Sequence, residues 1–104
     1  MKAFVTIAPV IDQERLAPET YRLTLQAKSI AERAQPGQFV FLRVTSGYDP
    51  LLRRPFSIHR VNRKEGTLQI LYRVVGKGTG LLARRGPGEA LALIGPLGRG
   101  FVIE

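Results

Sequence analysis

The stretch Thr67–Val75, TLQILYRVV, carries the clearest strand signal in the chain, and it runs directly into the loop Gly76-Lys77-Gly78-Thr79. Apolar side chains recur at every second position, which predicts a strand with one buried face: Leu68, Ile70, Tyr72 and Val74. Glycines permit a close backbone approach to phosphate, and a short helix that starts at this loop would present free N–H groups. The sequence therefore predicts a strand that ends in a phosphate-binding loop.

A second informative segment, Arg53-Arg54-Pro55-Phe56-Ser57-Ile58, lies upstream of that strand. Pro55 pushes the residue before it toward an extended conformation, so Arg54 and Ser57 should lie at the start of a strand. Along an extended chain, the hydroxyl would lie roughly 10 Å from the guanidinium. An arginine and backbone N–H groups suit a pyrophosphate, and the hydroxyl could bind a second group of the same ligand. These two segments predict a flavin nucleotide held along one edge of a small β domain.

The rest of the chain divides into short apolar runs that are bounded by turn residues. These runs predict five more strands, over Phe4–Ile11, Thr20–Ala27, Gln38–Val44, Phe56–Val61 and Glu89–Ile94. One helix is predicted over Thr79–Arg84, between the last two strands. Six strands at roughly ten-residue spacing are typical of a β-barrel or sandwich. We further expect Pro9 and Asp12 to close the first strand and the third strand to be covered on both faces.

Composition limits the classes of protein to which the chain can belong. Its 104 residues suffice for one domain, and a net charge of +8 favours a polyanionic partner such as nucleic acid or a phosphate-rich cofactor. The absence of cysteine excludes disulfides and thiolate-held metals from the chain. Since no apolar run approaches the ~18 residues of a membrane span and no signal peptide is evident, we expect a cytoplasmic protein without membrane contact.

A basic nucleic-acid-binding barrel is the main alternative. It would combine scattered lysines and arginines with aromatic stacking platforms, namely Phe39, Phe41, Phe56 and Tyr72. It leaves the positions of Pro55, Ser57 and the glycines unexplained, and the basic residues form no long block, so we expect no nucleic-acid partner. A docking barrel that has lost its cofactor is a third interpretation. His59 has no acidic neighbour or nucleophile partner in the sequence, so neither a catalytic residue nor a metal site is predicted.

Taken in order along the chain, these motifs resemble a known family. They are Pro36-Gly37-Gln38-Phe39, Leu52-Arg53-Arg54-Pro55-Phe56-Ser57-Ile58, Leu71-Tyr72-Arg73-Val74, Gly76-Lys77-Gly78-Thr79 and Gly95-Pro96-Leu97-Gly98-Arg99-Gly100-Phe101. The chain closely resembles the electron transfer subunit of NAD-dependent (class B) dihydroorotate dehydrogenase, in the ferredoxin reductase-like superfamily. The resemblance implies an all-β fold, a six-stranded antiparallel Greek-key barrel that binds FAD.

The resemblance also implies roles for particular residues. Arg54 would hold the pyrophosphate, and Ser57 would lie near the flavin N5 edge. Pro55 and Phe56 would line the flavin, together with residues of the next strand, which are Leu71, Tyr72 and Arg73. The phosphates would meet the start of the helix at Gly78 and Thr79.

The remaining implications concern a longer protein. In the family, a nicotinamide-binding domain and a cysteine-ligated [2Fe–2S] cluster follow the barrel, and an FMN-containing catalytic subunit exchanges electrons with it. We expect residues 1–104 to form the FAD-binding domain alone, because the sequence stops at Glu104 directly after the strand-like Phe101–Ile103 and contains no cysteine. The small subunits of sulfide dehydrogenases and of NADH-dependent ferredoxin:NADP oxidoreductases share this barrel and stay open as alternatives. Association into a homodimer also stays open.

Overall fold

The computed structural model describes residues 4–43 and 53–98, which contain six strands and two short helices. The strands are β1 (Phe4–Ala17), β2 (Thr20–Gln26), β3 (Phe39–Arg43), β4 (Arg53–Asn62), β5 (Thr67–Arg73) and β6 (Ala90–Leu97), and the helices are α1 (Lys28–Ala31) and α2 (Lys77–Leu82). All pairings are antiparallel, and the strands close into a barrel in the order β1-β2-β5-β4-β3-β6. The predicted six-stranded antiparallel barrel is confirmed.

The core of the barrel follows from the period of two along its strands. On β5, Leu68, Ile70 and Tyr72 are buried, whereas Leu71 and Arg73 are exposed, as the sequence predicts. The same alternation occurs on β2 and β3, so every second side chain of each strand points into the barrel. The largest fully buried side chains are Leu23, Leu25, Ile30, Leu42, Ile58, Leu68, Ile70, Leu82, Leu93 and Val40.

The two helices close opposite ends of the barrel. Helix α1 follows β2 and α2 follows β5, and these two strands are antiparallel neighbours. Ile30 of α1 and Leu82 of α2 are both fully buried, so each helix contributes an apolar side chain to the core. Only α2 was predicted, because the four residues of α1 are too few to show a helical period.

Strand β1 is longer than predicted and reaches Ala17. The expectation that Pro9 and Asp12 close it is wrong, because the strand changes partners instead of ending. Up to Pro9 it pairs with β6, and from Val10 it pairs with β2 across a register shift between Val10 and Asp12. Such an irregularity bends a strand and allows it to serve two neighbours in a closed barrel.

Strands β3, β4 and β6 also differ from the sequence prediction. Strand β4 begins at Arg53 rather than Phe56, and β6 continues through the cis Gly95–Pro96 peptide to Leu97. Strand β3 is fully buried on its inner face, whereas Phe39 and Phe41 on its outer face are only partly buried, so the predicted cover of two faces is complete on one. The predicted positions at Val44 and Phe101–Ile103 lie outside the described residues. Neither described helix has the length and apolar character to cross a membrane.

Candidate functional site

The barrel end that α2 closes brings the two sequence-predicted segments together. Arg54, near the start of β4, lies across Gly78 in the first turn of α2. A Cβ atom built on Gly78 would overlap Arg54 Nε and would lie 3.2 Å from Cδ and 3.3 Å from Cζ. A Cβ built on Gly80 would have nothing within 4 Å. The missing side chain at Gly78 therefore lets the guanidinium of Arg54 approach the helix backbone. We call this end of the barrel, where β4 starts, β5 ends and α2 begins, the α2 rim.

Thr79 holds the loop that leads into α2. Its Oγ1 accepts hydrogen bonds from the backbone N–H groups of Val75, at 2.9 Å, and Gly76, at 3.2 Å, and it lies 3.2 Å from the Gly76 carbonyl, to which it donates. The helix begins at Lys77 rather than at Thr79, so Thr79 is its third residue and is buried. The Thr79 hydroxyl is thus used inside the loop, whereas the first N–H groups of a helix have no acceptor within it.

The outer surface beside the α2 rim carries four of the predicted site residues. Pro55 and Ser57 on β4 are exposed, and so are Leu71 and Arg73 on β5. The two strands are neighbours, with Ile58 paired to Ile70, and Ser57 and Leu71 are the next residues toward the rim. We call these four side chains the outer face. It offers a hydroxyl, two apolar side chains and a cation on adjacent strands.

Two predicted site residues point into the barrel instead. Phe56 and Tyr72 are buried, and their ring centroids lie 5.8 Å apart with the planes at 74°. Tyr72 also stacks on Tyr21, with 5.8 Å between centroids and 20° between planes. Their rings therefore pack inside the barrel and support the site from within, and the expectation that Phe56 and Tyr72 line the flavin stays a prediction.

Burial also sets the protonation state of Tyr72. Removal of the hydroxyl from water raises the pKa of Tyr72 above its ordinary value of 10.0, and the nearby Tyr21 raises it further. A hydrogen bond to Gln13 Oε1, at 2.5 Å, opposes this shift. Tyr72 is consequently a neutral donor at physiological pH, and its partner Gln13 is a residue near the site that no sequence motif indicates.

Positive charge surrounds the α2 rim. Arg54, Arg73 and Lys77 are all exposed there. Cations grouped around a helix start raise the local affinity for an anionic group. The described part of the chain contains no cluster of three or more acidic or histidine side chains that could hold a metal ion. The site chemistry is that of a phosphate-binding rim beside an apolar and hydroxyl-bearing face.

Comparison with known proteins gives this site its class. The family model described as oxidoreductase FAD-binding domain matches residues 7–101. The chain therefore belongs to the oxidoreductase FAD-binding domain family. FAD binding in support of flavin-dependent electron transfer is the function of such a domain, so the sequence prediction of a flavin dinucleotide is confirmed.

Within that class, the chain is similar to electron transfer subunits. It is 50% identical over 96 residues to the dihydroorotate dehydrogenase B (NAD(+)) electron transfer subunit of Desulforamulus reducens, and 47% identical over 95 residues to that of Bacillus caldolyticus. These matches cover 92% and 91% of this chain but 37% of each relative. A solved structure of an NADH-dependent reduced ferredoxin-NADP oxidoreductase aligns with a TM-score of 0.80 and 25% identity, over 95% of this chain and 35% of that one.

The residues of the site fit the cofactor that the family name gives. FAD carries a pyrophosphate between a flavin ring and an adenosine. Because Gly78 has no side chain, the Arg54 guanidinium lies against the first turn of α2, whose N–H groups are further hydrogen-bond donors. The donor set is therefore cationic and polar where a pyrophosphate requires it.

Proposed function

We propose that the pyrophosphate of FAD lies at the α2 rim and that its flavin ring lies on the outer face. The contact between Arg54 and Gly78 carries this proposal, because it joins the one arginine of the R-P-x-S segment to the glycine loop. A guanidinium can bond two phosphate oxygens at once, and such charge-assisted bonds are among the strong ones. The exposed cations Arg73 and Lys77 add to the attraction.

Each residue of the site has a distinct task in this proposal. Arg54 anchors the phosphates, together with the backbone N–H groups of Gly78 and Thr79. Pro55 and Leu71 provide apolar contact for the flavin ring, and Arg73 lies beside them for phosphate or ribose. Phe56 and Tyr72 contribute through their backbone, while their rings keep β4 and β5 in place.

Ser57 has the role nearest to the chemistry. Its exposed hydroxyl would donate a hydrogen bond to the N5 edge of the ring and orient it. When bound, FAD supplies hydride and single-electron transfer, which no side chain of this chain provides. The protein's part is to hold the ring, neutralise the phosphates and place one hydroxyl at the reactive edge.

The wider assignment follows from the similarity to class B dihydroorotate dehydrogenase subunits. We propose that the barrel is the FAD-binding part of such an electron transfer subunit. Its partner would be an FMN-containing catalytic dehydrogenase subunit, with NAD and a [2Fe–2S] cluster bound by sequence beyond this barrel, in a cytoplasmic protein of pyrimidine biosynthesis. Identities of 47% and 50% to such subunits support this choice.

A second candidate is the small subunit of a ferredoxin-NADP oxidoreductase. It is favoured by the TM-score of 0.80 to the NADH-dependent ferredoxin-NADP oxidoreductase structure. The identity of that match, 25%, is half of the 50% to the subunit from Desulforamulus reducens. The first candidate is therefore preferred.

The FAD site can be tested directly on the purified 104-residue chain. The chain is mixed with FAD, separated from excess ligand and scanned for flavin absorbance, beside Arg54→Ala and Arg60→Ala. We expect retained flavin in the parent and in Arg60→Ala, which changes an exposed arginine of the same strand far from the rim. Equal flavin retention in all three would refute the role of Arg54.

The wider assignment needs a partner test. The chain, loaded with FAD, is titrated with the catalytic subunit of a class B dihydroorotate dehydrogenase and, separately, with a reduced ferredoxin. Complex formation with the catalytic subunit supports the first candidate. Binding to ferredoxin without binding to that subunit would favour the second.

A further inference from the structure

Gln13 links three parts of the barrel end at which the proposed phosphate site lies. It is a partly buried residue of β1, opposite Leu23 of β2, and no motif marks it in the sequence. Its Nε2 donates to the carbonyl of Leu82 at 2.8 Å and to the carbonyl of Arg85 at 2.7 Å. Its Oε1 accepts the hydroxyl proton of Tyr72 at 2.5 Å. The carboxamide is thus fully used, with both donors and the acceptor engaged.

The two carbonyls belong to the C-terminal end of α2 and the turn after it. The last carbonyls of a helix lack partners within the helix, and a side chain that binds them fixes where the helix ends. Helix α2 has six residues, so its length is about 9 Å. A displacement at Leu82 would therefore shift the whole helix, including Gly78 at its other end.

The partners of Gln13 determine which way its carboxamide points. The carbonyls of Leu82 and Arg85 can only accept hydrogen bonds, so the amide nitrogen must face them and the oxygen is left to accept from Tyr72. Burial keeps that hydroxyl protonated, as described above, and stacking on Tyr21 and contact with Phe56 fix the ring. The Tyr72 hydroxyl thereby holds the carboxamide oxygen in place while the amide nitrogen faces Leu82 and Arg85.

We propose that Gln13 is a positioning residue for cofactor binding, which fixes the first turn of α2 against Arg54. This inference rests on the proposed function, because it takes the place where Arg54 contacts that turn as the pyrophosphate site. Gln13 contacts neither Arg54 nor Gly78 in the described hydrogen bonds, so its effect passes through the helix. Its loss should therefore affect the binding of a flavin that carries phosphate more than that of one without.

The test compares two ligands that share the flavin ring and differ in the pyrophosphate and adenosine, which FAD alone carries. Dissociation constants for FAD and for riboflavin, which has no phosphate, are measured with the parent chain, Gln13→Met and Tyr72→Phe. The control is Gln26→Met, because Gln26 Nε2 also donates to two carbonyls, those of Glu65 and Gly66, at the opposite end of the barrel. Methionine matches the length of glutamine and removes its hydrogen bonds.

We expect Gln13→Met to weaken FAD binding about tenfold and riboflavin binding less than about twofold, since one phosphate anchor is misplaced. Tyr72→Phe should weaken FAD binding about threefold, because it removes one of the three hydrogen bonds that hold the carboxamide and keeps the two to Leu82 and Arg85. Gln26→Met should change neither constant by more than about twofold. In the double variant Gln13→Met with Arg54→Ala, the loss should not exceed that of Arg54→Ala alone.

Three outcomes would overturn the proposal. Unchanged FAD affinity in Gln13→Met would do so, and so would equal losses for FAD and riboflavin, because a merely structural role lowers both. If Gln13→Met does not fold, unchanged FAD affinity in Tyr72→Phe is the contradicting result. If the parent chain and Gln13→Met both prefer FAD over riboflavin to the same degree, the proposed function stands and only the inference about Gln13 is refuted. A parent chain without any such preference refutes the phosphate site itself.

Discussion

The guanidinium of Arg54 and the backbone of Gly78 are in direct contact, because Gly78 has no side chain to separate them. Arg54 belongs to β4 and Gly78 to α2, with the whole of β5 between them in sequence. Neither the strand nor the helix alone would make an anion site from these residues. The closure of the barrel brings the two residues together and creates the site.

Replacement of Gly78 by alanine should weaken FAD binding without unfolding the chain. The added Cβ would overlap Arg54 Nε, so the guanidinium must move away from the helix. Alanine is also the better helix former, by up to about 1 kcal/mol, which offsets the strain in the free energy of unfolding. We expect about a tenfold rise in the FAD dissociation constant, measured by flavin fluorescence.

Gly80→Ala is the matched control for this substitution. It adds the same methyl group to the same helix, at a position where nothing lies within 4 Å. FAD affinity should stay within about twofold of the parent, while the midpoint of thermal unfolding rises or is unchanged. Similar affinity losses at both glycines would mean that the helix, rather than the Arg54 contact, matters.

Ser57→Ala should separate cofactor binding from cofactor reactivity. The exposed hydroxyl is one uncharged donor among several anchors, so its loss should change FAD affinity by at most about 1 kcal/mol. If it orients the N5 edge, the rate of flavin reduction by a hydride donor should fall several-fold more than affinity does. Stopped-flow reduction of the loaded chain measures this, and an unchanged rate would remove Ser57 from the proposed chemistry.

Tyr72 should make stability fall at alkaline pH. Its pKa is raised in the folded state by burial, so the folded chain holds the proton more tightly than the unfolded chain does. The stabilising contribution is complete below the unfolded pKa of about 10 and is lost as pH rises from there through the folded pKa. Urea unfolding of the parent should therefore weaken more steeply above about pH 10 than that of Tyr72→Phe. Parallel curves would contradict the burial of this hydroxyl.

Glu89 should make the stability of the fold decrease at acid pH, whereas Tyr72 does so at alkaline pH. The hydrogen bond from Arg85 Nη1, at 2.8 Å, lowers the pKa of Glu89, burial opposes this, and the N–H of Gly86 adds a weaker bond. A lowered folded pKa contributes stability above the unfolded value that is lost as pH falls through the folded one. The thermal midpoint of the parent should fall more than that of Glu89→Gln below about pH 4.5. Identical acid profiles would refute this interaction.

Local sequence rules predicted the strands and the two site segments because both depend on short-range chemistry. The alternation on β5 and the glycine loop after it are confirmed as strand and helix start. The partner change within β1 could not be predicted in this way, since the bulge near Asp12 serves a closure that involves β2 and β6. Pro9 is a local signal for the end of a strand, but β1 continues past it because the closed barrel requires the strand to pair with a second neighbour.

In the candidate site, too, the residues with a local sequence signal could be predicted, and those whose contacts arise from the closed barrel could not. Residue type indicated Arg54 and the glycine loop, the family resemblance assigned the phosphates to Gly78 and Thr79, and the fold places Arg54 and Gly78 in contact. The inward direction of Tyr72 follows from its place in the period of two, which the sequence already contained. Gln13 had no local signal, because its partners at Tyr72 and Leu82 are remote in sequence and meet it only in the closed barrel.

The most direct test of the account is the affinity of Arg54→Ala for FAD. The parent chain and Arg54→Ala are titrated with FAD and with riboflavin, with circular dichroism to verify that both are folded. Loss of a charge-assisted phosphate contact predicts FAD binding weaker by at least about 1.5 kcal/mol, or more than tenfold, and riboflavin binding little changed. A folded Arg54→Ala chain that binds FAD as tightly as the parent would contradict the central claim that Arg54 and the glycine loop hold the pyrophosphate.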